Sequence, residues 1–472
     1  MKTGINRRQF LQQAVIGGAA LGMMPSCMKP GKKSANKPNI IFVMADDLGY
    51  GDLGCYGQEK IKTPNIDRLA SEGMRFTDCY AGSTICAPSR SVLLTGQHTG
   101  HTRVRGNMCP VGGTLGYKGT RQVRRMCLTD EDVTVGHVMQ QAGYHTGVVG
   151  KWHVGAYDPK AGPLDRGFDE FTGWLINEAD TGGYYPTRRV VNRTVVDVPV
   201  GPDNKRPYTT DMCTDEAISF ITQSGRDNKP FFLYLAYNNP HSPLQVPDLG
   251  PYANMDWPEH IKIYAAMIHR LDQNIARLMQ CLKEQGLDEK TVVFFCSDNG
   301  PRSEPQDIQT EVVEFFDSNG PLRGYKRDLY DGGIRVPMIV RAPGRIPAGT
   351  TRDVPWYFAD VMATAAALGG GQVPQNTDGI SLVPVFSGQQ NDVGERFLYW
   401  EYFEKGFQQT VRWGKWKALR LEKNGPLELY NIPDDIGEQH NIADQHPDVI
   451  LKIEEYLKTA RTESENWPLE SF

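Results

Sequence analysis

Five short stretches of the chain are almost unbroken in apolar character: Ile40 to Met44, Thr146 to Val149, Phe231 to Ala236, Val292 to Cys296 and Met338 to Val340. Such short runs without polar alternation predict strands covered on both faces. Between them lie stretches with helical spacing, among them Asn65 to Glu72 and Tyr264 to Gln285. The second carries Met267, Ile268, Leu271, Ile275, Leu278 and Met279 along one face. Strands alternating with helices predict an α/β fold, a large, mostly parallel (mixed) sheet sandwiched by helices, over residues 37–386. Beyond residue 386 the pattern changes to short strand-like runs joined by turns: Phe397 to Trp400, Thr410 to Trp413, Trp416 to Leu419 and Glu428 to Tyr430. With the helix-like stretch Pro447 to Lys458, they predict a small C-terminal α+β subdomain, an antiparallel sheet plus a helix, over residues 387–472.

Four of the apolar runs lead into polar, titratable groups. Ile40 to Met44 precedes Asp46 and Asp47, Val149 precedes Lys151 and His153, Ala236 precedes His241, and Cys296 precedes Asp298 and Asn299. In open α/β sheets ligands bind beyond the carboxyl ends of the strands, so these clusters are expected to meet at one site.

Composition narrows the partners. The chain has 472 residues, of which 39% are hydrophobic, 23% charged and 10% aromatic, as in a folded protein with a sizeable core. A formal charge of -5 gives no field attractive to nucleic acid, so an anionic substrate must be held by locally placed cations. Asn6-Arg7-Arg8-Gln9-Phe10-Leu11, ahead of the apolar stretch Ala14 to Met24, resembles a twin-arginine export signal, and residues 1–36 are assigned to export signal and linker. The stretch is short and rich in Gly and Ala for a membrane span. Met24-Pro25-Ser26-Cys27 reads as a loose lipobox, which leaves open a lipid anchor at Cys27 or a free periplasmic protein. The nine cysteines include no CxxC pair and no Cys/His cluster, so zinc is not implied.

Cys86-Ala87-Pro88-Ser89-Arg90, continued by Ser91-Val92-Leu93-Leu94-Thr95-Gly96, resembles the signature of type I sulfatases, C-x-P-S-R followed by x-x-x-x-T-G. The resemblance implies that Cys86 is oxidised to formylglycine by a sulfatase-maturating enzyme, a transient partner that reads this segment in the unfolded chain. The hydrate of that aldehyde has two hydroxyls on one carbon: one attacks sulfur and displaces the alcohol, and the other expels sulfate by re-forming the aldehyde. A serine would stay trapped as its sulfate ester.

Asp46, Asp47, Asp298 and Asn299 are hard oxygen donors, which suit calcium or magnesium better than a transition metal. Ala45-Asp46-Asp47-Leu48-Gly49 and Ser297-Asp298-Asn299-Gly300 match the family's two ligand motifs, and the resemblance selects calcium, with the converted Cys86 as a further ligand. It also assigns Arg90, Lys151 and Lys326 to the sulfate, His241 with Lys326 to the leaving alkoxide, and His153 to the formylglycine hydroxyl. The family usually has Glu where Asp331 stands. The likeness runs from Pro38 through Asp378-Gly379-Ile380-Ser381-Leu382 and implies hydrolysis of sulfate esters, on O-sulfated sugars of host or algal glycans. Two loops are expected at the mouth of the site, supplying Arg103 and Asp180 to substrate. The second, from Asn177 to Pro186, loosely resembles that of sulfatases acting on 6-sulfated galactose or N-acetylgalactosamine. A phosphatase or phosphodiesterase of the alkaline phosphatase-like superfamily would share the fold, but the full signature around Cys86 argues against it. A non-catalytic glycan-binding relative would have lost part of the residue set, and every position is filled.

Overall fold

The computed structural model describes residues 37–471 except 119, 156–161, 177–182, 203 and 305–307. The predicted export segment and Cys27 therefore lie outside the described residues. The main sheet has ten strands: β1 (Asn39–Asp46), β2 (Met74–Phe76), β3 (His145–Lys151), β4 (Glu170–Trp174), β5 (Arg188–Val191), β6 (Thr194–Asp197), β7 (Phe231–Pro240), β8 (Thr291–Ser297), β9 (Met338–Arg341) and β10 (Thr350–Arg352). They lie in the order β10-β2-β9-β8-β1-β7-β3-β4-β5-β6. The central five, β8-β1-β7-β3-β4, are parallel. Antiparallel pairs join β9 to β8 and to β2 on one side and β5 to β4 and to β6 on the other, so the sheet is mixed as expected.

All five predicted runs are strands of this sheet, and the central one divides its side chains between two cores. Ile40, Phe42 and Met44 of β1 point to one face, and Ile41, Val43 and Ala45 to the other. This period of two explains why a strand at the centre reads as wholly apolar. Helices α1 (Pro64–Ser71), α4 (Thr209–Arg226) and α5 (Glu259–Glu284) cover the second face, while α2 (Cys86–Thr95), α3 (Val135–Gln141) and α6 (Asp360–Gly369) pack together on the first.

The C-terminal sheet consists of β11 (Phe397–Tyr402), β12 (Gln408–Trp413), β13 (Trp416–Arg420) and β14 (Glu428–Asn431), paired antiparallel in that order. On one face Tyr399, Val411, Ala418 and Leu429 pack against Val449, Ile453 and Leu457 of helix α7 (Pro447–Leu457). On the other, Leu398, Trp400, Tyr402, Leu419 and Tyr430 join the main core. The subdomain thus shares apolar surface with the large sheet rather than hanging from it.

A buried charge joint fixes that contact. Lys417 Nζ on β13 lies 2.7 Å from Asp331 Oδ1 and 2.7 Å from Glu438 Oε1, and all three side chains are fully buried. Arg335 holds the other Asp331 oxygen at 3.2 Å, and the Asp331 backbone N–H donates to Glu438. Asp331, the position at which the family usually has Glu, is therefore spent on joining the two sheets. Burial, opposed by Lys417 and reinforced by Asp331, pushes Glu438 up to about 7. Removing the one cation between two buried carboxylates costs far more than breaking a surface pair. Lys417→Met should lower unfolding free energy by about 3–5 kcal/mol, read as a shift in urea denaturation midpoint; a change below about 1 kcal/mol, the size of an exposed pair, would refute the joint.

Candidate active site

The signature forms the buried helix α2, with Cys86 at its first position and Pro88 in the first turn, where a missing N–H costs nothing. Gly96, at φ 67°, ends it in the left-handed region. The polar residues of the motif tie this helix to the end of β8. Ser89 Oγ donates to the Asp298 carbonyl at 2.5 Å, and Arg90 Nε and Nη2 donate to Asp298 Oδ2 at 3.0 and 2.7 Å. The turn after β8 is pressed against the segment after Asp331, where Gly300 N–H donates to the Gly333 carbonyl. A Cβ at Gly300 would sit 1.8 Å from the Gly332 oxygen, so only glycine allows this approach.

Around Cys86 the ends of β1, β3 and β8, helix α2 and the loop carrying Lys326 bring together three carboxylates and three cations. Lys151 Nζ contacts Asp46 Oδ2 at 2.5 Å, Arg90 approaches the same oxygen at 3.5 Å, and Lys326 Nζ donates to Asp47 Oδ1 at 2.5 Å. Cys86 Sγ lies 3.2 Å from Lys326 Nζ and 3.5 Å from Asp46 Oδ1. Burial raises the Asp47 carboxyl, but Lys326 and His241 more than offset this and hold it well below the usual range. Asp298 is pushed up by burial and by Asp46. Burial also pushes the Cys86 thiol up to about 12, against the pull of Lys151 and Lys326.

The two histidines face the same cavity, about 410 Å³, with Cys86 on its wall. His241 Nδ1 donates to the Ser242 carbonyl at 2.6 Å, which leaves Nε2 toward Asp47 Oδ2 at 3.7 Å. Burial lowers His241 to about 3. His153 accepts at Nε2 from Arg125 at 3.3 Å, while its Nδ1 is buried without a hydrogen-bond partner among the described residues. Burial, with Lys151, Arg125 and Arg90 nearby, keeps this ring neutral well below its usual range. His153 and Asp47 both have positive φ, 65° and 64°, a strained geometry that concentrates at functional sites.

The donor set fits a hard divalent cation. Asp46, Asp47, Cys86 and His241 present atoms within 4.8 Å of one another, and Asp298 Oδ1 accepts the Asp47 N–H. Asp47 Oδ2 and Asn299 Oδ1 are buried acceptors with no hydrogen-bond partner among the described residues. Buried oxygens left unpaired are costly, and a calcium ion is the ligand that oxygens of this kind would satisfy. Three carboxylates and three cations cancel, so a divalent ion would leave the cluster positive toward an anionic ester.

Residues 38–371 match the Sulfatase family, and residues 324–463 match the N-sulphoglucosamine sulphohydrolase C-terminal family. The chain belongs to the sulfatase family. It is 31% identical to N-acetylgalactosamine-6-sulfatase of Canis lupus familiaris over 81% of this chain and 71% of that one. It is 27% identical to N-acetylgalactosamine-6-O-sulfatase of Bacteroides thetaiotaomicron, covering 95% of this chain and 98% of that one. The solved structure of Ps i-CgsB in complex with k-i-k-neocarrahexaose superposes with a TM-score of 0.76 at 30% identity, covering 92% and 95% of the two chains. The protein is accordingly a sulfuric ester hydrolase.

In this sulfatase, Cys86, Arg90, Lys151, His153, His241, Lys326, Asp46, Asp47, Asp298 and Asn299 converge as the sequence predicts. Arg103 does not reach the cavity over Cys86. Its guanidinium is held by Asp132 at 2.7 Å and Glu131 at 2.6 Å and lines a separate cleft with His101 and Thr462. The acidic turn after Leu128, which captures Arg103, is not visible from the local pattern around the arginine. Asp180 lies outside the described residues. Sequence reasoning missed Asn107, Arg125, Arg302, Glu304, Arg327 and Glu404, which complete the cavity wall. Of these only Arg327, next to Lys326, stood beside a recognised motif. Asp47→Asn weakens the cluster's charge while conserving shape. It should abolish stoichiometric calcium retention after dialysis, measured by elemental analysis, and cost at least about 100-fold in sulfate ester hydrolysis. Full calcium content in an inactive variant would assign Asp47 to another task.

Proposed function

We propose that this sulfatase cleaves O-sulfated sugars, with Cys86 converted to formylglycine and calcium held by Asp46, Asp47, Asp298 and Asn299. The observation that carries the reading is the state of Cys86. A thiol pushed up to about 12 by burial is scarcely ionised at neutral pH and makes a poor nucleophile, yet it sits against Lys326 and Asp46 where a reacting group belongs. Conversion would supply a hydrated aldehyde, whose hydroxyls attack sulfur and later release sulfate. Calcium would polarise a sulfate oxygen and the nucleophile.

The chain's own side chains account for the rest. Burial lowers Lys151 and Lys326, but Asp46 and Asp47 respectively outweigh it, so both lysines stay charged and hold sulfate oxygens. Arg90, bound to Asp298, fixes the floor on which they work. His241 is neutral in the free enzyme, and an incoming anionic ester favours its protonated form at Nε2, beside the leaving oxygen. The N-terminus of α2 adds its positive dipole end at residue 86. Sugar specificity is supported by the relatives named for N-acetylgalactosamine 6-sulfate and by the oligosaccharide complex of Ps i-CgsB. Galactose or N-acetylgalactosamine 6-sulfate is the substrate favoured here. Export by the twin-arginine segment, either to the periplasm or to a lipid anchor at Cys27, and contact with a maturase belong to the same proposal.

Two measurements test it. Protein produced with a maturase should hydrolyse 4-nitrophenyl sulfate far faster than 4-nitrophenyl phosphate, and its peptide containing residue 86 should show the mass of an aldehyde in place of a thiol. Fully active protein with an intact cysteine there would end the formylglycine reading. For His241→Ala, a sugar alkoxide needs protonation on leaving and a nitrophenolate does not. Loss of an acid costs about 100-fold to 10,000-fold where protonation is required, so sugar and aryl sulfates should separate by at least about tenfold. Lys151→Ala should injure both alike, since Lys151 holds the sulfate itself. Equal slowing of both substrates by His241→Ala would remove it as the leaving-group acid.

A further inference from the structure

Beyond the sulfate cluster the cavity wall carries a chain of alternating charges that the reaction itself does not use. Ser242 Oγ is 2.5 Å from Arg302 Nη1, and Arg302 Nη2 donates to Glu304 at 3.0 Å. Glu304 is also bound by Arg327, and Arg327 Nε lies 3.5 Å from Glu404 Oε2. Glu404 follows β11 in the C-terminal subdomain, and its side chain is 17% exposed at the cavity wall. Its other oxygen, Oε1, is buried and has no hydrogen-bond partner among the described residues.

The backbone beside this pair is unusual as well. Arg327 has φ 76°, in the left-handed region that a residue with a long side chain rarely enters, and its N–H donates to the Thr84 carbonyl two residues before Cys86. Strain of that kind persists only where the surroundings enforce it. Here it places one residue, Lys326, against the reacting centre and the next, Arg327, against Glu404.

We propose that the Glu404 carboxylate is a hydroxyl-reading subsite on the cavity wall, accepting a hydrogen bond from a ring hydroxyl of the sulfated sugar, with Arg327 and Arg302 donating to neighbouring sugar oxygens. The inference rests on the sulfated-sugar reading above and adds the group that recognises the ring. A carboxylate oxygen can only accept, so its partner must bring a proton. The adjacent Arg327 and Lys326 disfavour a cation there. A sugar brings ring hydroxyls into the cavity that Glu404 shares with Cys86, whereas 4-nitrophenyl sulfate offers no donor.

The test compares Glu404→Gln with wild type on 4-nitrophenyl sulfate and on a panel of galactose and N-acetylgalactosamine 6-sulfates and 4-sulfates, with thermal unfolding as the check on folding. A hydrogen bond to a charged acceptor contributes enough that kcat/KM for the sugar should fall about tenfold to a hundredfold more than for the aryl ester, chiefly through KM. Glu404→Asp, which keeps the charge and withdraws the oxygen by one methylene, should fall between. Independently of any variant, wild type should lose a similar factor on the monodeoxy sugar sulfate lacking the hydroxyl that is read. In Glu404→Gln that deoxy sugar should lose little more. If sugar sulfates are turned over but the substitution costs both substrate classes equally, or no single deoxygenation matches it, the subsite is refuted while the sulfated-sugar reading stands. If aryl sulfate alone is hydrolysed, the sulfated-sugar reading falls and takes the subsite with it.

Discussion

The contact between Arg90 and Asp298 is the constraint around which the site is built. It joins the signature helix to the carboxyl end of β8, and both side chains are fully buried. Neither charge could be withdrawn from water alone at acceptable cost, so each requires the other and each is oriented by it. Once Asp298 is fixed, its second carboxylate oxygen accepts the Asp47 N–H. Asp47 then places one oxygen on Lys326 and leaves the other toward His241. The helix, two strand ends and a loop are thus registered to one another by a single chain of charge-assisted bonds, which are short and directional.

The same logic recurs at the far side of the site. Asp331, Lys417 and Glu438 form a second buried charge group whose task is assembly, and it locks the C-terminal sheet to the segment that carries Lys326. This matters for chemistry because the subdomain delivers Glu404 to the cavity wall. The reacting centre is supplied by the large sheet and its loops, and part of the wall by the smaller one. A difference in the loop between β11 and β12 can therefore change the cavity wall without disturbing the charged cluster around Cys86.

Much of this was legible in the sequence because the central strands announce themselves. A strand with both faces buried has no polar alternation, and the residues just beyond its end are the first that can be polar, so Asp46, Lys151, His241 and Asp298 stand out against apolar neighbours. The edge strands did not announce themselves. Arg188–Val191 and Thr194–Asp197 are short, half exposed and mix paired valines with charged or polar residues, and Met74–Phe76 is too short for a period to register. The cavity wall was hidden for a different reason. Arg302, Glu304, Arg327 and Glu404 come from loops whose positions depend on tertiary contacts, and a charged residue in a loop looks the same whether it faces solvent or substrate. Arg103 illustrates the converse: it sits near the signature and carries the right charge, but Glu131 and Asp132 claim it.

The burial of Cys86 also constrains the proposed conversion. Its side chain is enclosed by α2, the ends of the strands and Lys326, and the residue is only 2% exposed. In the folded protein Pro88 and Arg90 occupy helix α2, with Arg90 committed to Asp298, so they would not be available as an extended segment to a modifying enzyme. Folding first would place the thiol beyond reach and raise its pKa, so the proposed conversion would precede closure of the sheet. Deep burial and a helix locked by a buried ion pair, which order the folded site, would also oppose later conversion. On this argument protein that folds unmodified would stay unmodified.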